Sequence, residues 1–296
     1  MSEEATTASA PSETFIIVDR ITELRPAQTE LLDYAKVPAD EQIEHIYRIR
    51  DKALAIAPYG CVGTLSFTFP TISTHPAYSS ILERLKDGET LLDLGCGLGQ
   101  NMRKLVIDGA PKSSVIGADL DQGLIDCGNA YFRDGDGEPP FMFLVGDVLN
   151  SEDPVFRMAE GQFNFIWASM LFHLWDWDKQ VQASVAATKL LKPEKGNAIF
   201  GWQLGGSPAA LVTRPGEKAG SATEKIWRHD EASFRELWKE VGEKTGTEWN
   251  VEVESKLPEW NKLRKAVPGV KDINNIDEDT PEGYQTMSLT FNVTRG

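Results

Sequence analysis

Between residues 90 and 202 the chain repeats one pattern: a short apolar run, then a stretch with helical spacing. The apolar runs fall at 90–94, 114–119, 141–146, 163–168 and 197–202, and helical stretches follow the first four at about 100–108, 122–133, 152–159 and 177–191. Strands buried on both faces read as continuous apolar runs, and strand–helix alternation predicts a parallel sheet with helices on both faces. Two more strands are expected near 249–254 and 286–294, after an insertion at about 203–245 that carries a helix over 224–241. The expected fold class is α/β, with a Rossmann-like, mostly parallel seven-stranded sheet. Ligands of such sheets bind beyond the C-terminal ends of the strands, near the switch in strand order.

In front of this core, residues 1–13 are small and polar and read as a flexible tail, and residues 14–88 read as a helical N-terminal cap. Asp40 is positioned to cap a helix carrying Ile43, Ile46, Tyr47, Leu54 and Ile56. A second helix is expected from Pro76, with Tyr78, Ile81, Leu82 and Leu85 on one face and Gly88 at its end. The core is expected over 89–296.

The formal net charge of -15 argues against nucleic acid and anionic membrane as partners, because the short basic run at Lys262, Arg264 and Lys265 makes no phosphate-binding stripe. It leaves a small anionic substrate open, since salt screens charges beyond roughly 8 Å. Cys61, Cys96 and Cys127 are too dispersed for a zinc framework or a disulfide scaffold, so no metal is expected. The start of the chain lacks a signal-peptide pattern, "FIIV" at 15–18 is too short to span a bilayer, and the sequon at Asn292 falls in an expected strand. A cytoplasmic, reducing location is the expectation.

The most informative stretch is "LLDLGCGLGQNMRKL", residues 91–105. Asp93 closes an apolar run, and Gly95, Gly97 and Gly99 follow at alternate positions before a helix. The dinucleotide fingerprint spaces its glycines as G-x-G-x-x-G, and here position 100 is Gln. No Lys-Ser/Thr pair closes the loop, so a phosphate-cradling P-loop fails as well. What remains is a loop built for close backbone approach to some other ligand, or a tight turn with none.

At these residues the chain resembles the class I S-adenosylmethionine-dependent methyltransferases. "LLDLGCGLG" resembles their first motif, "VIGADL" (115–120) the second, "FLVGDVL" (143–149) the third and "FNFIWAS" (163–169) the fourth, with "LLKPEKGNAIF" (190–200) as the turn and strand that follow. The resemblance implies S-adenosyl-L-methionine as cofactor. It places Asp119 at the ribose hydroxyls, Asp147 at the adenine amino group and Val148 against the ring, with Asp93, Gly95, Gly97, Gly99, Leu120 and Ala168 as further cofactor contacts. The chemistry agrees: a carboxylate accepts from two hydroxyls at once, and glycine removes side chains where the methionine part must pass. Asp93 is expected to orient the loop or the ammonium group. The alternatives are a plain strand-end turn for Asp119, with Asp121 as competing carboxylate, and a turn or helix cap for Asp147. Cys96 reads as a small packing residue.

After the fourth strand, "MLFHLWDWDKQ" brings His173, Phe172, Trp175 and Trp177 to where acceptor and methyl donor should meet. His173 is a candidate general base, a donor orienting an acceptor oxygen, or a packed histidine. Asp176 and Asp178 are the candidates to polarise it, with Asp178 expected instead to cap the next helix. A phenol acceptor, of pKa about 10, gains from a base at neutral pH, whereas a carboxylate is already ionised.

Residues 58–204 bear a closer resemblance, carried by "YGCVGTLSFTFP", the glycine loop with its preceding helix, and "FHLWDWDKQ". It is to the fungal secondary-metabolite methyltransferases of meroterpenoid pathways, with departures at Gly60, Leu98 and the glycine-rich 205–223. This resemblance implies O-methylation, in several members of a carboxyl group on a prenylated aromatic polyketide acid. Trp167, Phe172, Trp175, Trp177 and Trp202 suit a greasy planar acceptor and equally suit an ordinary core. Tyr59 and His75 are further pocket candidates, His75 alternatively a helix-start cap, and Arg214 would meet an acceptor carboxylate if its loop closed. The expected activity is methyl-ester formation on a small hydrophobic acceptor. The alternatives are phenol O-methylation, C- or N-methylation on the same fold, and a non-catalytic cofactor-binding partner protein. A homodimer is the one protein assembly this reading includes.

Overall fold

The computed structural model describes residues 20–134, 140–213, 225–258 and 280–296. The expected tail at 1–13, Arg214 and the basic run at 262–265 lie outside them.

The described residues run first through the α-helices α1 (Pro26–Tyr34), α2 (Gln42–Ile56), α3 (Gly60–Gly63) and α4 (Tyr78–Lys86). The core follows as β1 (Leu91–Leu94), α5 (Gln100–Ile107), β2 (Val115–Asp119), α6 (Gln122–Phe132), β3 (Met142–Val145), α7 (Pro154–Met158), β4 (Phe165–Trp167), α8 (Trp177–Leu190) and β5 (Ala198–Ser207). Then come β6 (Ala210–Thr213), β7 (Lys225–Arg228), α9 (Glu231–Thr245), β8 (Trp249–Lys256) and β9 (Gln285–Arg295). Seven strands form one sheet in the order β3-β2-β1-β4-β5-β9-β8, and β6 pairs with β7 in a separate hairpin. β1 to β5 run parallel, and β9 is antiparallel to both β5 and β8. The order reverses at β1, whose neighbours are β2 and β4, so the switch point falls where the glycine loop leaves β1.

The expected strands and core helices are found within a few residues. Three expectations are corrected. Residues 225–228 are not the start of a helix but strand β7, and α9 begins at Glu231, where Asp230 accepts the Ser233 amide at 2.8 Å and Ser233 Oγ accepts the Asp230 amide. Asp40 does not cap α2, whose flanking residue is Glu41 with no side-chain cap bond. Asp178 is in the first turn of α8, and the cap is Asp176, which accepts the Lys179 amide at 3.0 Å. α1 lies within the expected helical cap but has no counterpart among the individual helices expected there.

Burial divides into layers. On one face Leu92, Leu94, Ile116 and Ile166 pack with Phe156, Val181, Leu190, Phe234 and Trp238 of α7, α8 and α9. On the other, Leu91, Val115, Phe165, Trp167 and Phe200 pack with Ile81, Leu85, Met102 and Leu105 of α4 and α5. A third cluster joins Leu31, Ile46, Ile49 and Phe67 to Leu98, Leu124 and Tyr131, which seats the first helices on α6 and the glycine loop. A Cβ on Gly123 would lie 3.0 Å from Ile56 Cδ1, so the end of α2 abuts the start of α6. Among the described residues no helix is long and apolar enough to cross a membrane.

Candidate functional site

The glycine loop is anchored to β2 by its own backbone. Gly95 and Cys96 both donate to the Ala118 carbonyl, at 2.8 and 2.9 Å. Gly97 donates to Asp119 Oδ2 at 2.7 Å, and Asp119 Oδ1 accepts from Asp121 at 3.1 Å. Gly95 and Gly97 take φ of 77° and 53°, the left-handed region that costs an L side chain roughly 1–2 kcal/mol. Space differs between the two: a Cβ on Gly95 would stand 3.1 Å from Leu171 Cδ1, whereas one on Gly97 would meet nothing within 4 Å. The loop's open side is therefore at Gly97.

From below, Arg103 of α5 fixes the far half of the loop. Its side chain is fully buried and donates to the carbonyls of Leu98 (3.3 Å) and Gly99 (3.1 Å). It also pairs with the buried Asp134 and stacks near the rings of Phe132 and Phe141. Sequence reasoning missed this residue, since a charge in an amphipathic helix reads as solvated.

Asp93 is enclosed at the base of the loop. It is 2% exposed, and its Oδ2 has no hydrogen-bond partner among the described residues. Burial, reinforced by the Asp119 charge and opposed by Arg103, pushes its carboxyl up to about 8. A cation placed against it would reverse that shift. Burial also raises Asp119, which the loop amides partly offset. The competing carboxylate, Asp121, is occupied as the cap of α6, where it accepts the Gly123 amide at 2.8 Å.

The ends of β2 and β3 are tied together, Gly146 donating to the Asp119 carbonyl at 3.1 Å. This sets Asp147 near Asp119. Asp147 is half-buried, accepts the Leu149 amide at 2.9 Å and donates its own amide to Asp153 Oδ2 at 3.0 Å. Leu120, at 66% exposure, stands out from the end of β2, and Val148 is half-buried against the α7–α8 side of the core. Ala168 is enclosed, its amide on the Phe200 carbonyl at 2.9 Å. A groove of about 240 Å³ between α7 and α8 is lined by Val148, Leu149, Asp178, Val181 and Lys189, and of the cofactor and pocket candidates only Val148 borders it.

Beyond β4 the chain turns sharply. Met170 takes φ 54° and its amide bonds the Trp202 carbonyl at 2.8 Å, which sends Leu171 onto the glycine loop. A non-glycine residue in this region is strained, and such residues cluster at functional sites. His173 is buried in the following turn, and its carbonyl accepts from Arg228 Nη1 at 2.6 Å. Gln180 Nε2 donates to the carbonyls of Trp175 (2.9 Å) and Trp227 (3.0 Å), and the Trp227 amide donates to Trp175 (2.9 Å), so β7 is stapled to this turn.

The remaining pocket candidates disperse. Phe172 is fully buried against Phe291. Trp175 is half-buried at the edge of the α8–α9 core, and Trp177 points its Nε1 at Glu240 of α9 (2.8 Å) with its ring against Trp227 and His229. His75 is buried beside Trp167 and Phe200, with Nε2 on the Phe291 carbonyl (3.0 Å) and Nδ1 accepting the Ala77 amide (3.2 Å). Both its nitrogens are thus taken by main chain. Tyr59 is exposed at the start of α3.

With this arrangement in view, the chain's likenesses are informative. Residues 17–68 match the sequence model of the meroterpenoid methyltransferase N-terminal domain, and residues 91–194 that of a methyltransferase domain. The O-methyltransferase phiE of a fungal species is 38% identical over 261 residues, covering 87% of this chain and 85% of that protein. The asnovolin E/chermesin D methyltransferase nvfJ of Aspergillus novofumigatus is 37% identical, over 79% of this chain and 82% of that protein. Among solved structures, phosphoethanolamine N-methyltransferase 2 of Haemonchus contortus, in complex with S-adenosyl-L-methionine, aligns with a TM-score of 0.50. That likeness, at 16% identity over 83% of this chain and 59% of the other, is one of fold alone. Identity at this level over most of each fungal relative's length settles the matter: the chain belongs to the meroterpenoid methyltransferase family and is an S-adenosylmethionine-dependent methyltransferase.

Proposed function

We propose that the protein methylates a carboxyl oxygen of a small hydrophobic acceptor, a prenylated aromatic polyketide or meroterpenoid acid, to give its methyl ester. The observation that carries the cofactor half of this reading is Asp93: a buried carboxyl with no partner at Oδ2 among the described residues, its ionisation pushed up by burial beneath an open glycine loop. An ammonium group is the complement such a carboxyl lacks. S-adenosyl-L-methionine, when bound, supplies an electrophilic methyl group on a sulfonium.

The chain's own residues do the holding. Asp93 takes the ammonium, Gly95 and Gly97 give the backbone room, Asp119 accepts from the ribose hydroxyls, and Asp147, with Leu120 and Val148, bounds the base. Asp119 already serves two amides, and a carboxylate has lone pairs left for hydroxyls. Methyl transfer needs alignment in a dry pocket more than it needs acid–base help. The turn after β4, with His173 inside it, forms the wall beside which an acceptor oxygen is aligned. A carboxylate requires no base there. O-methylation in a meroterpenoid context is supported by the N-terminal family match and by the relatives' names, which specify O-methylation for phiE and asnovolin E and chermesin D for nvfJ.

The test is incubation with methyl-labelled S-adenosylmethionine and a panel of prenylated aromatic acids and phenols, followed by mild alkali. Label released as methanol identifies a methyl ester. Label that survives alkali on a phenol oxygen, ring carbon or nitrogen refutes the carboxyl assignment.

A further inference from the structure

Past its last paired residue, the chain leaving β4 stays bonded to β5. The strands pair as far as Trp167, opposite Phe200. Two further main-chain bonds follow, from the Ala168 amide to the Phe200 carbonyl (2.9 Å) and from the Met170 amide to the Trp202 carbonyl (2.8 Å). Gly201 lies between those two acceptors, and Ala168 is pressed against it. A Cβ on Gly201 would stand 2.5 Å from the Ala168 carbonyl oxygen and 2.9 Å from its carbon, with Phe291 Cζ at 3.1 Å. Two residues on, the left-handed φ of 54° at Met170 throws Leu171 onto the donor loop, where its Cδ1 is 3.1 Å from the Cβ position of Gly95. His173 follows at once, buried in the next turn. The path from β5 to the glycine loop thus runs through Ala168, Met170 and Leu171.

A glycine inside a strand weakens it, and often marks a site where another backbone comes close. The neighbour decides what a side chain there would do. Gly117 of β2 is crowded by side-chain atoms of Met102 and Phe143, which have rotamers to move into. Gly201 is crowded by main chain, which has none. Ordinary contact at a Cβ begins near 3.4 Å, so a methyl on Gly201 would drive the turn away by roughly 1 Å, and misplacement on that scale costs about 10²-fold in rate when reacting groups must align.

We propose that Gly201 is a positioning residue for methyl transfer: by letting the Ala168–Leu171 turn lie against β5, it sets the distance between the donor loop and the wall that aligns the acceptor. The inference rests on the placement of the acceptor beside this turn, and not on whether the methylated atom is a carboxyl or a phenol oxygen. Gly201 touches neither donor nor acceptor and acts through the turn alone.

The experiment compares wild type with Gly201→Ala, Gly201→Ala plus Phe291→Leu, Met170→Val and Met170→Asn, on the prenylated aromatic acid or phenol that wild type methylates fastest. Gly201→Ala should lower kcat by about 10²-fold, with KM for the acceptor and Kd for S-adenosylmethionine each within about threefold of wild type. Adding Phe291→Leu withdraws the ring but not the Ala168 carbonyl, and should recover no more than about threefold in kcat. Met170→Val puts a β-branched residue into the left-handed region and should reproduce the kcat loss, whereas Asn tolerates that region, so Met170→Asn should be at least about tenfold faster than Met170→Val. A Gly201→Ala kcat within about threefold of wild type would overturn the proposal. Full recovery on adding Phe291→Leu would do the same, by tracing the defect to an overpacked core. Equal rates for the two Met170 variants would show that the backbone of the turn does not set the rate, and would overturn it too. The Met170 pair adds no atom at Gly201, so it decides the question even when Gly201→Ala does not fold. Whether the product is labile to alkali reports on the carboxyl assignment alone and leaves Gly201 untouched.

Discussion

Asp119, at the end of β2, reaches back to accept the Gly97 amide at 2.7 Å, so the same carboxylate that is proposed to receive the ribose also closes the glycine loop. Replacing it by Ala should weaken S-adenosylmethionine binding by about 1.5–3 kcal/mol, the scale of a hydrogen bond to a charged group. Calorimetry of the purified variant measures this. Unchanged affinity would move the ribose contact to another residue.

Asp93 makes stability depend on pH in a direction opposite to that of most carboxylates. Its folded value of about 8 lies above the unfolded one near 3.9, so the folded state binds more protons between them. The contribution is complete below about pH 4 and is lost as pH rises toward 8, at a slope of at most about 1.4 kcal/mol per pH unit. Ligand-free Tm should therefore fall across this window by more in wild type than in Asp93→Asn. S-adenosylmethionine binding, which favours the ionised carboxyl, should strengthen over the same window in wild type only. Parallel Tm curves for the two proteins would show that Asp93 ionises normally.

Arg103 pays out in structure what it withholds from solvent. Arg103→Met leaves Asp134 buried without its cation and the Leu98 and Gly99 carbonyls without their donor, and should cost roughly 3–5 kcal/mol in urea unfolding. Adding Asp134→Asn to that variant should recover part of the loss. Additive losses would mean the two residues act independently.

His173 separates the two O-methylation chemistries. With a phenolic acceptor, His173→Ala should lower the rate by about 10²-fold or more if the imidazole is the base. With a carboxylate, which needs no base, the fall should stay below about tenfold. Steady-state rates on the paired acid and phenol decide between them, and equal losses would assign His173 to the shape of the turn.

The parts of this molecule that a reader of the sequence can find are those in which local pattern and tertiary role coincide. Leu91 to Leu94, Val115 to Asp119 and the glycines between them are contiguous, and their meaning survives without knowledge of the packing. β7 was hidden because Ile226 and Trp227 stand so close to the apolar face of α9 that a single helix fits both. The boundary is set by Asp230 and Ser233, a pairing that lacks the usual acidic or amide residue at the third helical position. Leu171, Gly201 and Arg228 were missed for another reason. Leu171 touches Gly95, Arg228 touches His173 and Gly201 lies against Ala168, and each relation joins segments dozens of residues apart. No periodicity encodes such meetings. Asp93 was noticed, but its isolation at Oδ2 and its raised carboxyl belong to the folded environment alone.

The first helices contribute no strand to the sheet and meet the core through side chains, as where Ile56 lies beside Gly123. Substitutions along that seam can therefore accumulate without breaking any strand ladder, while the glycine loop keeps its main-chain anchors to β2.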